Sequence, residues 1–342
     1  MLIPIDNDVD VQHIDTKEAS HIILDATDLF CDTNQIEYMK FNVGRNVFHK
    51  THNMQKATRQ GNQLAGLLRR CGTAIQSNNF MYLTKDVCDM VVETQTSLPE
   101  WTIDDLHIEP GIAGTILFEK PKFQDNLGSN VPHGGKQNTE VVGLHWMYQE
   151  KIPLLKDHNI EEINALWVGI ITDATPIDAV PGEKRYAHGS NEFAYEITDD
   201  GSLIPVWDHS NTGAYNSAVI DYFAATMMLI QQREIIAPLD SYRPTIKHGK
   251  RRDPVLVPTG NNTREPMKIS TVSLSETVRK AYATNAGTGK KPTKSWWVKG
   301  HWRRQPYGPG RTLRKLIYIH PHISGNVNAP LDDRKIITKI VP

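Results

Sequence analysis

Cysteine is scarce in this chain. Cys31, Cys71 and Cys88 are the only three in 342 residues, too few and too scattered for a disulfide framework or a zinc cluster. No run of eighteen apolar residues occurs, which argues against a transmembrane helix and against a membrane partner. The opening stretch "MLIPIDNDVDVQHIDTKEAS" is acidic and lacks the basic-then-apolar order of a signal peptide. A reduced, cytoplasmic protein is the expectation. Catalytic signatures are missing as well: there is no GxSxG, no GxxxxGK[ST], no HExxH and no CxxC. "GTGKKPTK" lacks the first glycine of a phosphate loop at the required spacing, and no apolar strand precedes it. The carboxylates form no two-metal pattern. No metal and no cofactor is therefore expected.

Charge of one sign is missing at each end. Before Lys40 there are nine acids and a single base, Lys17. After Glu276 no acid appears until Asp332, while eleven Lys and Arg fall between Arg279 and Lys315. A net charge of −1 thus conceals a basic C-terminal region, and local clustering, not the total, decides nucleic-acid contact. The alternative is that the two ends neutralise each other in the fold.

Periodicity predicts an α+β protein with a mainly antiparallel sheet, N-terminal helices, one buried central helix and a C-terminal basic β-hairpin. "VFHKTHNMQKATRQGNQLAGLLRRCGTAIQ" has a helical rhythm that Gly61 is expected to interrupt and Gly72 to end. A second helix is expected over Lys85 to Thr94. Candidate strands are Thr115–Glu119, Glu140–Tyr148, Ala165–Thr172, Glu192–Ile197 and Leu203–Trp207, the last two joined by the turn sequence "TDDGS". The segment from Tyr215 to Ala237 is apolar on most sides and reads as the buried helix. "SYRPTIKHGKRRDPVLVPTGNNTREP" reads as an exposed loop whose Arg243, Lys247, Lys250, Arg251 and Arg252 form a secondary basic site. The organisation expected is an acidic, helical region over 1–98, an α+β core over 99–284 and a basic β module over 285–342.

"WWVKGHWRRQPYGPGR" concentrates the available chemistry. Laid out as a strand, one face carries Trp297, Lys299, His301, Arg303 and Gln305, and the other Trp296, Val298, Gly300, Trp302 and Arg304. "PYGPGRT" is a turn by composition, and "LRKLIYIHPHISG" returns as the partner strand. Read functionally, this is a basic platform for RNA, with Lys294, Lys299, His301, Arg303, Arg304, Gln305, Tyr307, Arg311, Arg314 and Lys315 as candidate contacts. Read structurally, it is a hairpin whose tryptophans are core and whose bases are solvated. A sharper version makes His301 the general acid/base of a metal-independent endoribonuclease, with neighbouring cations stabilising the phosphorane. A non-catalytic nucleic-acid-binding accessory protein is the further alternative.

"VKGHWRRQPYGPGRTLRKLIYIHPHISG" resembles the C-terminal signature of a phage and plasmid protein family that includes the type V-A anti-CRISPR protein acting on its target nuclease during translation. The likeness continues through "LPEWTIDDL", "GLHWMYQ", "INALWVGIITDA", the apolar helix from Tyr215 and "ETVRKAYATNAGTGKKPTKSWWVKGHW". Gly300, His301, Trp302 and the basic residues around them match the signature. Gly249–Pro266 and Gly128–Gly135 have no counterpart in it. The resemblance implies a regulator that silences one gene product at the translational or mRNA level in the bacterial host cytoplasm. Its implied partners are the nascent polypeptide of a target protein and RNA or the ribosome.

Overall fold

In the computed structural model, the described residues are 2–4, 14–95, 97–120, 123–126, 138–156, 159–173, 186–206, 213–237, 239–259, 263–276, 278, 295–298, 300–319 and 322–325. The chain opens with β1 (Leu2–Pro4) and three helices, α1 (Thr16–Phe30), α2 (Thr33–Thr51) and α3 (Met54–Gln76). β2 (Phe80–Leu83), α4 (Lys85–Gln95) and α5 (Ile103–Leu106) follow. The long strands come next: β3 (Ala113–Phe118), β4 (Phe123–Asn126), β5 (Asn138–Lys156), β6 (Asn159–Asp173), β7 (Tyr186–Ile197) and β8 (Leu203–Pro205). After α6 (Gly213–Ile230) come β9 (Asp240–Tyr242), β10 (Thr245–His248), β11 (Arg251–Pro254), β12 (Leu256–Pro258), β13 (Arg264–Pro266) and β14 (Ile269–Val272). The C-terminal strands are β15 (Ser295–Val298), β16 (His301–Tyr307), β17 (Leu313–Ile319) and β18 (His322–Gly325).

Two expectations about the first helices fail for identifiable reasons. Where one interrupted helix is predicted, the chain makes two. His52 takes a left-handed φ of 53°, and the Asn53 side chain caps α3 by accepting from the Lys56 amide at 2.9 Å. Gly61 and Gly72 both lie inside α3. Gly61 is a crossing point: a Cβ there would meet the Lys40 carbonyl oxygen at 2.9 Å. The stretch expected as a basic loop forms two hairpins instead, β10–β11, which is largely exposed, and β12–β13, which is anchored by the buried Val257.

The main sheet runs β8-β7-β6-β5-β3-β2-β14-β9, antiparallel except that β2 lies parallel to both β3 and β14. Together with the N-terminal helices this is an α+β fold. Alternation along the strands sorts the core into two layers. Leu83, Ile116, Trp146, Leu166 and Phe193 face α4 and α6. Phe80, Tyr82, Leu117, Val142 and Ile171 face α1 and α3. From Val219 to Leu229 α6 is buried nearly all round, as its mostly apolar sequence requires, with Asp221 half-buried, and it ends at Ile230. The Asp-Gly turn between β7 and β8 places Gly201 at φ 80°.

Candidate functional site

β16 and β17 form a seven-rung antiparallel ribbon from His301↔Ile319 to Tyr307↔Leu313. The turn between them uses three left-handed residues, Gly308, Gly310 and Arg311. A second ladder, β15 with β18, extends the ribbon beyond Gly300. Its inner face holds it to the body. Trp302 and Tyr318 pair across the ladder with ring centroids 5.5 Å apart, and both are buried in the α4–α6 layer. Trp302 Nε1 donates to the Thr94 carbonyl at the end of α4 (3.1 Å), and the Tyr318 amide donates to Gln232 Oε1 (2.9 Å). Arg304, on the same face, donates to the Glu100 carbonyl at 2.6 Å.

The outer face is what solvent sees. His301, Arg303 and Tyr307 are exposed on β16 with Gln305 half-buried between them; Lys315 and Leu313 are exposed on β17. Lys315 Nζ stands 5.8 Å above the Tyr307 ring, a cation–π approach at the rim. Arg314 bends back to the Arg311 and Leu313 carbonyls at 2.6 and 3.1 Å. No acid occurs anywhere from Ser295 to Gly325. Among the described residues no carboxylate pairs with Arg303, Lys315 or Arg311, which present positive charge beside aromatic and aliphatic surface. Lys294 and Lys299 lie outside the described residues.

The secondary basic residues occupy β10–β11, with Arg243 just before it. Lys247 pairs with Arg252 across the ladder and His248 with Arg251, while Lys250 sits beside Gly249 at the tip. Arg251 is partly neutralised by Asp253 at 2.7 Å. This hairpin runs on into Val255 and Val257, which pack in the α1–α3 layer. The ribbon packs in the α4–α6 layer, so the two basic sets are rooted on opposite faces of the sheet.

One cluster escapes the sequence. Thr115, His145, Gly169 and Glu192 are consecutive partners across β3, β5, β6 and β7. The His145 ring lies over Gly169, where a Cβ would sit 2.1 Å from Cε1. From α3, Cys71 Sγ meets His145 Nε2 at 3.3 Å, and the same nitrogen stands 3.8 Å from Glu192 Oε1. Arg70 grips the Glu192 carboxylate with Nε at 2.8 Å and with Nη2, and stacks 3.8 Å over the Trp167 ring. Burial alone would raise the Glu192 carboxyl; the facing His145 and Arg70 outweigh it and hold it below the usual glutamate range. Burial, then the Glu192 charge, push the Cys71 thiol well up.

A cysteine, histidine and carboxylate in contact have the makings of an activated nucleophile. The geometry argues otherwise. One nitrogen faces both partners, the thiol is held protonated, and Cys71 and His145 are closed to solvent. The cluster ties α3 to the sheet. Its members lie 74 and 122 residues apart, and no local spacing announces them. Among the described residues, no group of three or more His, Cys, Asp or Glu is placed to hold a metal ion, and no helix is long and apolar enough to cross a membrane.

A sequence model of the family described as "AcrVA2-like: Anti-CRISPR type V subtype A2 family" matches residues 149–325, just over half of the chain. The interval begins within β5 and ends with β18, so it contains both the ribbon and the basic hairpin. No curated protein and no solved structure matches the chain.

Proposed function

The chain belongs to the AcrVA2-like anti-CRISPR type V subtype A2 family, and from that premise we propose that it silences one specific gene product at the translational level. On this reading it recognises the emerging polypeptide and contacts its mRNA or the ribosome through residues 290–318. The observation that carries the proposal is the outer face of β16–β17, acid-free and cationic, held rigid from behind by Trp302 and Tyr318. Arg303 and Lys315 supply phosphate contacts, and Tyr307 a stacking surface beside them. The ribbon also offers an edge. Among the described residues β17 alone pairs with β16, so from Trp302 to Tyr307 the other side of the strand can take an extended peptide by strand addition. The main sheet is less suited to this, because its outermost strands, β8 and β9, have three residues each.

Replacing Arg303 and Lys315 together with alanine tests the reading. Fluorescence anisotropy with a single-stranded RNA should show weaker binding, and the slope of log affinity against log salt should fall by about 1.4 for two lost contacts. The variant should also leave the ribosomal fractions of a sucrose gradient. Unchanged RNA affinity and unchanged ribosome association would remove the ribbon from the mechanism. The endoribonuclease alternative rests on His301 sharing that face with Arg303. His301→Gln separates the two: a binding protein keeps its silencing activity, whereas a nuclease loses RNA cleavage while still binding RNA.

A further inference from the structure

Along the seam of α2 and α3 lies an apolar groove of about 440 Å3. Its walls are two stripes at helical spacing, Phe41, Gly44 and Phe48 on α2 and Met54, Ala57 and Gly61 on α3. The small residues make the floor, because they let the helices approach to backbone contact. The large ones stand proud of it, Phe41 at 65% and Met54 at 63% exposure, with Tyr38 at 64% one turn away from Phe41. Large apolar side chains gathered around a concavity are the usual mark of a surface that something covers.

The charge around the groove is mainly positive, Glu37 being the one carboxylate in its lining. From Thr33 to Gln76 there are seven Lys and Arg against a single acid, Glu37. Glu37 is shared between Lys40 at 3.2 Å and Arg69 at 2.7 Å. Lys40 and Arg45 line the groove, and Arg59 lines the adjoining depression past Met54. Among the described residues no carboxylate pairs with Arg45, Lys50, Lys56 or Arg59. This cationic rim around an apolar floor matches a ligand with the reverse pattern.

We infer that the α2–α3 groove docks a segment of another protein bearing large apolar anchors flanked by Asp and Glu. The apolar walls take the anchors, and Lys40, Arg45 and Arg59 take the carboxylates, which fixes register and speeds encounter. A second copy docked groove to groove fits poorly, since like charges would meet across the interface. Nucleic acid also fits less well, because the floor of the groove offers apolar side-chain contacts and the cations sit on its rim. The site lies outside residues 149–325 and packs with the layer opposite the ribbon, so it does not depend on the translational reading.

The test uses the full chain. A display library of short random peptides is selected on it, with prior subtraction on the double variant Phe41→Glu, Met54→Glu. Recovered peptides should be net acidic with at least two large apolar residues. Their affinity should fall about tenfold or more in that variant and in Lys40→Glu, Arg45→Glu. Both pairs are surface residues, and matching far-ultraviolet circular dichroism and thermal midpoints confirm that the variants fold. Recovery of no peptide, or of peptides without acidic bias, overturns the inference. So does single-stranded RNA binding that is lost in both variants, which makes the groove a nucleic-acid site. Sedimentation showing a dimer that both variants dissolve assigns the face to a second copy and overturns it too. RNA binding by the Arg303, Lys315 variant is read separately, so failure at the groove and failure at the ribbon are told apart.

Discussion

Glu192 shows how a single charge is used inside this fold. Its side chain is 5% exposed, yet two nitrogens of Arg70 hold it from α3 and His145 faces it from β5 across Gly169. Removing the charge leaves Arg70 without its acid, so Glu192→Gln should destabilise the protein at neutral pH by about 1–3 kcal/mol. The folded carboxyl lies below the usual glutamate range. Its contribution is therefore complete above that range and is lost as pH falls through the lowered value. Urea unfolding at a series of pH values should show the gap between wild type and Glu192→Gln narrowing below about pH 4. A gap that stays constant from neutral to acid pH would show that the ion pair does not carry the difference. None of this was legible beforehand. In the sequence Cys71 is one of three scattered cysteines, and His145 and Glu192 fall in separate candidate strands; the register of β5, β6 and β7 aligns the last two, and the packing of α3 adds Cys71.

Among the elements, the ribbon was the most legible because its alternation is strict. Expecting Trp302 and Arg304 on one face and His301, Arg303 and Gln305 on the other required only period two and a glycine-bearing turn, and the ladder has that arrangement. The strands of the sheet centre were equally plain, since β-rich apolar runs flanked by turn residues have few other uses. The α2–α3 pair was less so. Whether a glycine breaks a helix or lets another helix come close is decided by what stands opposite, and for Gly61 that is the Lys40 carbonyl. Trp302 is where the ribbon's attachment is most concentrated. Trp302→Ala should cost about 3–5 kcal/mol of docking energy, seen as rapid tryptic cleavage at Arg303 and Arg304 while α1–α4 stay protected. Trp302→Phe, which keeps an aromatic ring and drops the N–H to Thr94, should cost about 1 kcal/mol. Equal protease resistance in wild type and Trp302→Ala would mean that the ribbon is held elsewhere.

For the whole molecule the decisive feature is β2. It comes from the first hundred residues yet lies inside the sheet between β3 and β14, third from the β9 edge and parallel to both neighbours. The helices before it cover one face and α4 after it helps to cover the other. A fragment of residues 99–342 would have a gap where β2 belongs and would lack α1, α3 and α4. It should show no cooperative urea transition and no near-ultraviolet dichroism, although the family match lies wholly within it. A sharp transition in that fragment would mean that the sheet closes without its inner strand. The position of β2 also sets a timetable. Phe80–Leu83 leaves the ribosome early, but its neighbour Ile269–Val272 follows nearly two hundred residues later, roughly 10–40 s at ordinary elongation rates. Through that interval a buried strand waits with one side unpaired, so the birth of this protein is its period of greatest exposure to aggregation and to chaperones.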